Sequence, residues 1–552
     1  MPYGEMQLIA YGSQDLYLTG NPSITFFKAA YKRYTNFATE HIDKQFQTSP
    51  SFQTTSNTIA KCKIDRNGDL IGDIYLVYDL PNIYSNERES FRWIKNIGEN
   101  LIYKASLYID GLLVDEQYGI WMNIWNELIL SPGKRNSYDK IIGNISTLNN
   151  PADYYGNISD GSDNPSINAY RLYIPLPFWF CNNPGLAIPL ISLQYNELFI
   201  HIEFNPLNYL FTVGGSDPLS PSGIFDIDYI NNFIIGKEDK KNASELRTEL
   251  LNTNSDSNLF WKFVTGGLDN IGNLKWSMNT YLDVNYIYLG SDERRKFAQV
   301  SQEYLITQLQ TERFLLNNID NGLKGSNNIL NLNLNQPVKE IIWILRKNDV
   351  DKRNQWNNYT TSLYDYDFNT NKLSFASTFS SNNIRTEAPI NDNNYTPNYY
   401  KSLYTSKYLT KPFFDSSKDL NNYYQKNPNT SFNQINNIMY SARLIFNGNE
   451  RFSTKDNNFF NYLQPYKHHT NTPSPGVNVY SFSLYPEDHQ PSGSCNMSRI
   501  SNVQLDIAIR WLPKIDSSGD VIVNEGYELL LFGTNYNVLR IMGGMGGLVF
   551  AN

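Results

Sequence analysis

The feature that most constrains this chain is a stretch it contains twice. Tyr173 to Ile202 reads YIPLPFWFCNNPGLAIPLISLQYNELFIHI, and Tyr480 to Ile509, of the same length, reads YSFSLYPEDHQPSGSCNMSRISNVQLDIAI. Both open on an aromatic-rich run, break at a turn carrying Pro and Gly (Pro184-Gly185; Pro491-Ser492-Gly493), and close on alternation. Leu198, Ile200 and Ile202 share one face in the first copy, and Val503, Leu505, Ile507 and Ile509 share one in the second. Alternation of this kind reads as a half-buried strand, and turn chemistry between runs as a strand pair. Upstream of each copy lies a second matching unit. Ser106 to Leu128 carries Asp110-Gly111 and then Trp121 and Trp125 at helical spacing; Ala442 to Leu463 carries Asn447-Gly448 and then Phe459, Phe460 and Leu463. Asp-Gly and Asn-Gly favour tight hairpins because both central residues take positive φ. The chain reads as a duplicated all-β module, its two copies predicted to superpose.

Composition bounds what such a module can do. With 552 residues and 41% hydrophobic content there is room for two large domains with real cores. A formal net charge of −8 argues against a coat that neutralises nucleic-acid phosphates directly. The three cysteines, Cys62, Cys181 and Cys495, are few and far apart, which favours a reducing compartment without a disulfide framework. The first residues lack the pattern of a secretory signal, and no apolar run approaches the ~18 residues of a membrane-crossing helix.

Taken in order, residues 1–24 read as an arm broken by Gly4, Gly12, Gly20 and Pro22. A strand-like stretch rich in aromatics and Thr follows, from Ile24 to Phe46. Thr58 to Leu80 reads as a hairpin around Asn67-Gly68. Tyr281 to Leu289 reads as a late strand of the first module, and Ser291, followed by Asp292 and Glu293, as the N-cap of a short helical joint. Asn328 to Arg346 gives two runs around Gln336-Pro337, and Tyr527 to Asn552 a terminal strand region. The division expected is an arm over 1–24, a first module over 25–290 with an insertion near 207–275, and a second over 291–552 with an Asn- and Tyr-rich insertion near 350–435. Short strands at such intervals favour sandwiches or barrels, of which the double-sheet jelly roll protects its edges.

Four segments carry a resemblance. GSQDLYLTGNPSITFFKAAYKRYTNFA (Gly12 to Ala38), SDERRKFAQVSQEYLI (Ser291 to Ile306), LYPEDHQPSGSCNMSRI (Leu484 to Ile500) and YNVLRIMGGMGGLVFAN (Tyr536 to Asn552) resemble hallmark segments of the major capsid proteins of large nucleocytoplasmic double-stranded DNA viruses. The resemblance implies two consecutive eight-stranded jelly rolls with long loops and a few short helices. It also implies a homotrimeric, pseudo-hexagonal capsomer in an icosahedral shell, assembled in the host cytoplasm around an internal membrane. Neighbouring capsomers, minor capsid and penton proteins are the implied partners, the membrane being reached through the minor proteins, and nucleic acid is not contacted directly. The arm is implied at the capsomer base and the 350–435 loop on the outward face.

Candidate chemistry is weighed against simpler readings. Asp65, Asn67 and Asp69 alternate as in a calcium loop, but Leu70 and Leu76 stand where its Gly and Glu belong, so a turn is the reading. Gly543-Gly544-Met545-Gly546-Gly547 lacks the Lys-Ser/Thr of a phosphate loop and reads as close packing at the last strand. His468 and His469, adjacent in an extended segment, would point to opposite faces. His201 and Glu203 share a strand face, and Cys495 with His489 is a conceivable nucleophile and base. Lys28, Lys32 and Arg33, interleaved with Tyr31 and Tyr34, read as a strand with one partner-facing or solvated side rather than a nucleic-acid patch. The sequons at Asn144, Asn157, Asn242, Asn358, Asn394, Asn429 and Asn496 are those an Asn-rich chain makes by accident, and surface glycans would arrive by another route. No catalytic, cofactor-binding or metal residue is assigned. The reading is a structural protein whose mechanism is assembly. The alternatives are a scaffold or minor capsid paralogue of the same fold, or a carbohydrate-binding β-sandwich protein.

Overall fold

The structure, a computed structural model, describes residues 3–48, 50, 57–84, 89–149, 165–215, 279–316, 327–348, 437–509 and 526–550, with scattered positions between 350 and 373 and between 514 and 522. The insertion expected near 350–435, and most of the one near 207–275, lie outside the described residues.

Strands of the first half form two antiparallel sheets. One has the order β1 (Phe37–Gln45), β11 (Thr280–Leu289), β3 (Leu70–Leu80), β7 (Tyr170–Pro175), with β8 (Ile188–Pro189) added on β3. The other runs β2 (Thr58–Ile64), β9 (Leu198–Phe204), β5 (Ile102–Ile109), β6 (Leu112–Tyr118). Alternation in these strands turns Leu76, Tyr78, Ile174 and Leu282 of one sheet and Cys62, Leu107 and Ile200 of the other into a shared core. Strands of the second half repeat the plan. One sheet runs β12 (Gln302–Leu316), β25 (Tyr527–Met542), β14 (Pro337–Lys347), β20 (Val477–Ser481), with β21 (Cys495–Asn496) on β14 and β26 (Met545–Leu548) on β25. Its mate runs β13 (Asn327–Leu332), β22 (Val503–Ile509), β17 (Met439–Phe446), β18 (Asn449–Glu450), with β19 (Lys455–Asp456) on β17. Ile341, Trp343, Leu505 and Ile507 meet in the core between them. Each pair of sheets is a jelly roll, and the chain is a double jelly roll. Three small ribbons lie outside this scheme: β4 (Glu89–Trp93) with β10 (Phe211–Gly215), β15 (Tyr366–Asp367) with β16 (Lys372–Leu373), and β23 (Lys514–Ile515) with β24 (Val521–Ile522).

The repeat is the same in topology, and the register refines it. Ile71 faces Ile188 as Val338 faces Cys495, and both β3 and β14 carry a bulge just beyond. Counting on from those bulges, Val77 faces Tyr173 as Ile344 faces Val477, so the partner of Tyr173 is three positions before Tyr480. At the other end Ile109 faces Leu198 and Phe446 faces Val503, two positions before the residue that equal length assigns. A shift of two keeps each side chain on its face, whereas the shift of three turns Tyr173 outward where Tyr480 packs against the core. The equal lengths of the two quoted stretches therefore do not mark equivalent ends, while the strands themselves correspond. Both hairpins coincide as expected: Asp110 and Gly111 have φ of 50° and 80°, Asn447 and Gly448 of 50° and 82°.

Several local expectations are corrected. Thr58 to Leu80 is not a hairpin: β2 pairs with β9, whereas β3 pairs with β11 and β7 in the opposite sheet. Gly68 is required for close approach instead, since a Cβ there would lie 2.9 Å from Cβ of Tyr286. The stretch bearing Lys28, Tyr31, Lys32, Arg33 and Tyr34 is exposed and carries no strand; pairing begins only at Phe37. The arm forms two short helices, α1 (Tyr3–Ile9) and α2 (Leu16–Thr19), neither burying a residue. The helical joint spans Ser291–Gln299, with Gly290 rather than Ser291 as its N-cap. Residues 207–215 belong to the framework, with Leu207, Leu210 and Phe211 buried in the first core and β10 paired to β4.

Candidate functional site

In a chain of two like barrels, what joins the barrels decides whether they act as one block. The join is built chiefly by α4 (Gly119–Ile129), which follows β6 with its N-cap residue Tyr118 extended. One side of α4 enters its own barrel, where Met122 joins the core. Asn123 and Asn126 donate to the buried Glu99 carboxylate at 2.8 and 3.2 Å, and the Tyr138 hydroxyl donates to it at 2.6 Å. Burial raises the Glu99 pKa, and these three hydrogen bonds oppose the shift. The other side of α4 lies on the second barrel. Trp121, Ile124, Trp125 and Leu128 pack on Ile342, Ile344, Val477, Val479 and Phe532. The two tryptophans stack with ring centroids 5.4 Å apart, and Trp121 meets Phe532 at 5.3 Å. The loop after the second barrel's helix closes over the end of α4: Asn471 donates its backbone N–H to the Leu128 carbonyl, and Ser474 donates its own to the Glu127 carboxylate.

Charged groups are buried along this seam. Nε2 of His469 lies 3.1 Å from Glu340 Oε2 and Nδ1 lies 3.0 Å from Glu487 Oε1, with the His469 and Glu340 side chains fully buried. The ring stands perpendicular to that of Trp125, with centroids 6.3 Å apart. Lys339 donates to the Pro486 carbonyl at 2.7 Å and sits 5.4 Å over the Trp125 ring. Burial opposes charge on the His469 ring, but Glu340 and then Glu487 override it and lift its pKa to about 9. The Glu340 carboxyl is held below its usual range, burial being outweighed by His469 and Lys339. His469 is therefore an imidazolium clamped between two carboxylates. A second buried carboxylate, Asp115 on β6, accepts from Gln117 at 2.8 Å and from the Leu309 N–H of the second barrel at 3.4 Å. Burial drives its pKa up to about 7 against those hydrogen bonds. Beside it Gln308 donates to the Val114 carbonyl at 2.5 Å.

The singled-out residues fall mostly outside this seam. Asp65 pairs with Lys44 at 3.0 Å, and Asp69 accepts from the Leu289 N–H and from Arg294, so these carboxylates hold the barrel and the joint. His201 stacks on Tyr108 at 4.4 Å, and Glu203 accepts from Asn57. Cys495 lies in β21, where burial raises its thiol pKa. Among the described residues, no group of three or more His, Cys, Asp or Glu is placed to hold a metal. Gly543 and Gly544 turn the terminal hairpin at φ of 61° and 86°, and a Cβ on Gly544 would strike the Tyr195 ring of the first barrel at 2.5 Å. His468 ends a helix rather than lying in a strand. Sequence reasoning named His469 but missed its pairing with Glu340 and Glu487, and missed Asp115 altogether. The signal was present in Ile341 to Leu345, an unbroken apolar run that marks a strand covered on both faces.

Comparison with known proteins agrees with this architecture. The family described as large eukaryotic DNA virus major capsid protein matches residues 293–547, and the family of the major capsid protein N-terminus matches residues 25–248. The major capsid protein of Phaeocystis pouchetii virus is 33% identical over the whole of both chains, and that of Paramecium bursaria Chlorella virus 1 is 30% identical with the same coverage. The solved structure of PBCV-1 VP54 superposes with a TM-score of 0.60 at 25% identity, covering 96% of this chain and 100% of the other. The Faustovirus major capsid protein shares the fold, with a TM-score of 0.57 at 13% identity over 96% of this chain and 94% of its own. The double jelly roll, its internal duplication and full-length relatedness converge on one conclusion: the chain belongs to the major capsid proteins of the large eukaryotic DNA viruses, the structural components of the virion shell.

Proposed function

We propose that three copies of this chain close around a threefold axis into a pseudo-hexagonal capsomer, and that such capsomers tile an icosahedral shell assembled in the host cytoplasm. The observation that carries this reading is the repeated strand order: two equivalent barrels locked side by side in one chain become six around a threefold axis. Cyclic closure follows when one surface binds a different surface on the next copy. Residues 25–290 and 291–552 serve as the two barrel units, with 1–24 as an arm toward minor capsid proteins at the shell's interior. The arm's side chains, Tyr3, Leu8, Tyr17 and Leu18 among them, are exposed in the single chain, as suits a segment awaiting a partner. Penton and minor proteins complete the shell, the mechanism is assembly rather than catalysis, and cofactors and metals play no part. Native mass measurement tests this: three chains are expected, insensitive to reductant, because the cysteines are free. A stable monomer at micromolar concentration would sink the proposal.

A further inference from the structure

The second barrel carries its own version of α4, and that version is uncovered. A helix over Phe459–His468, its first turn wider than an α-helix, follows β19 as α4 follows β6. The two match residue for residue on the side facing their own barrel. Met122 and Phe460 both enter a core, and the buried polar pair Asn123 and Asn126 has its counterpart in Asn461 and Gln464. That alignment puts Ile124, Trp125 and Leu128 opposite Tyr462, Leu463 and Tyr466. The first three are 0%, 9% and 0% exposed; the second three are 47%, 51% and 82% exposed. Phe459, opposite Trp121, packs on its own core instead, so the side that buries against a barrel within the chain is, at these three positions, an open apolar and aromatic face in the second copy.

The surface that would receive it is also identifiable from the register. Within the chain α4 rests on the outer face of β25, β14 and β20, where Ile342 is flanked by Phe532 and Val479, and Ile344 by Leu530 and Val477. The matching places on the first barrel are Tyr75, flanked by Asp283 and Pro175, and Val77, flanked by Tyr281 and Tyr173. Among the described residues this face carries no counterpart of the apolar cluster that α4 forms on β14, although Val77, between Tyr173 and Tyr281, is itself buried. Tyr173 stands 38% exposed. Asp283 pairs with His41 at 3.0 Å. The face is acidic and tyrosine-rich, and Lys467 beside Tyr466 brings a cation to it.

We propose that Tyr462, Leu463 and Tyr466 dock on the outer face of the first barrel of a second copy of this chain, around Tyr75, Tyr173 and Tyr281. The contact repeats between molecules what α4 makes within one. This rests on the threefold capsomer reading and supplies the surfaces that close it. The intermolecular version is the more polar of the two, tyrosines and carboxylates standing where the internal seam has Ile342, Ile344 and Phe532.

The test uses the full chain in two forms. The first, Tyr462→Glu with Tyr466→Glu, spoils the donor face; the second, Tyr75→Glu with Tyr173→Glu, spoils the receptor. Each alone should run as a monomer in native mass measurement at tens of micromolar, with circular dichroism and the melting transition of folded protein. Mixed in equal amounts, they retain one intact donor and one intact receptor between them, so a two-chain species should appear that neither forms alone. Misfolded variants would not recover in this way. If the unaltered chain gives three copies and either variant still does, the docking proposal is overturned while the trimer stands. If the mixture stays monomeric, the proposed pairing of these faces is wrong. If the unaltered chain is itself a monomer, both readings fail.

Discussion

His469 and Glu340 meet with Nε2 and Oε2 3.1 Å apart, both side chains wholly buried, although they lie on elements separated by more than a hundred residues. The approach misses good hydrogen-bond geometry and acts as an ion pair. Removing one member of such a pair leaves the other charged and dry, at a cost of about 3–5 kcal/mol. Glu340→Ala should therefore lower the chemical unfolding midpoint sharply. Replacing Glu340 and His469 together by Met and Phe should cost much less, and a double-mutant cycle checks the difference.

The same pair predicts a response to alkali. The folded-state pKa of His469, about 9, lies above the ordinary histidine value of 6.5. Its stabilisation is complete below that ordinary value and is lost as pH rises through the folded one. Melting temperature should fall between pH 7 and 10 more steeply in the unaltered protein than in His469→Gln.

Asp115 acts in the same direction at lower pH. Its folded pKa of about 7 exceeds the unfolded value of 3.8, so the folded state binds the extra proton between the two. Stability from this group is full below pH 4 and falls as pH rises through 7. Asp115→Asn keeps an acceptor for Gln117 and Leu309 without the charge. It should flatten the decline from pH 4 to 8 and match or exceed the unaltered protein at pH 8. A steeper decline in the variant would refute the assignment.

Two glycines on neighbouring helices should behave oppositely. A Cβ on Gly119, at the start of α4, would lie 2.1 and 2.2 Å from the carbonyl oxygens of Ile102 and Glu99. Gly119→Ala must therefore lift α4 from its barrel and loosen the seam, read as faster proteolysis between the barrels. Gly133, in α5 (Pro132–Ile141), meets nothing within 4 Å, so Gly133→Ala should gain up to about 1 kcal/mol from helix propensity.

Trp121 contributes to the seam through buried aromatic surface against Trp125 and Phe532. Trp121→Ala should cost about 3–5 kcal/mol, as large-to-small changes of a buried aromatic do. Its effect should add to that of Gly133→Ala, which lies on another helix, and not to that of Gly119→Ala, which displaces the same helix. Equilibrium unfolding of the single and double variants decides this.

The chain's alternating runs determined, by themselves, the strands, the duplication and the two Gly-containing hairpins. Those signals are local: a side chain's face follows from its parity, and positive φ follows from Asp-Gly or Asn-Gly. The same local logic failed at Asn67-Gly68, because a turn residue does not say whether the next strand returns beside its neighbour or crosses to the other sheet. Only the tertiary structure decided that Gly68 is a point of close packing against Tyr286. The seam lies beyond local reading for a related reason. The contrast between the apolar run Ile341 to Leu345 and β3, where Asp73, Tyr75 and Asp79 alternate with apolar residues, marks one sheet as covered twice and the other once. It does not name what does the covering. His469, Glu340 and Trp125 come from three distant segments, and their shared low-dielectric site, with the shifted titrations it imposes, exists only once the two barrels have packed.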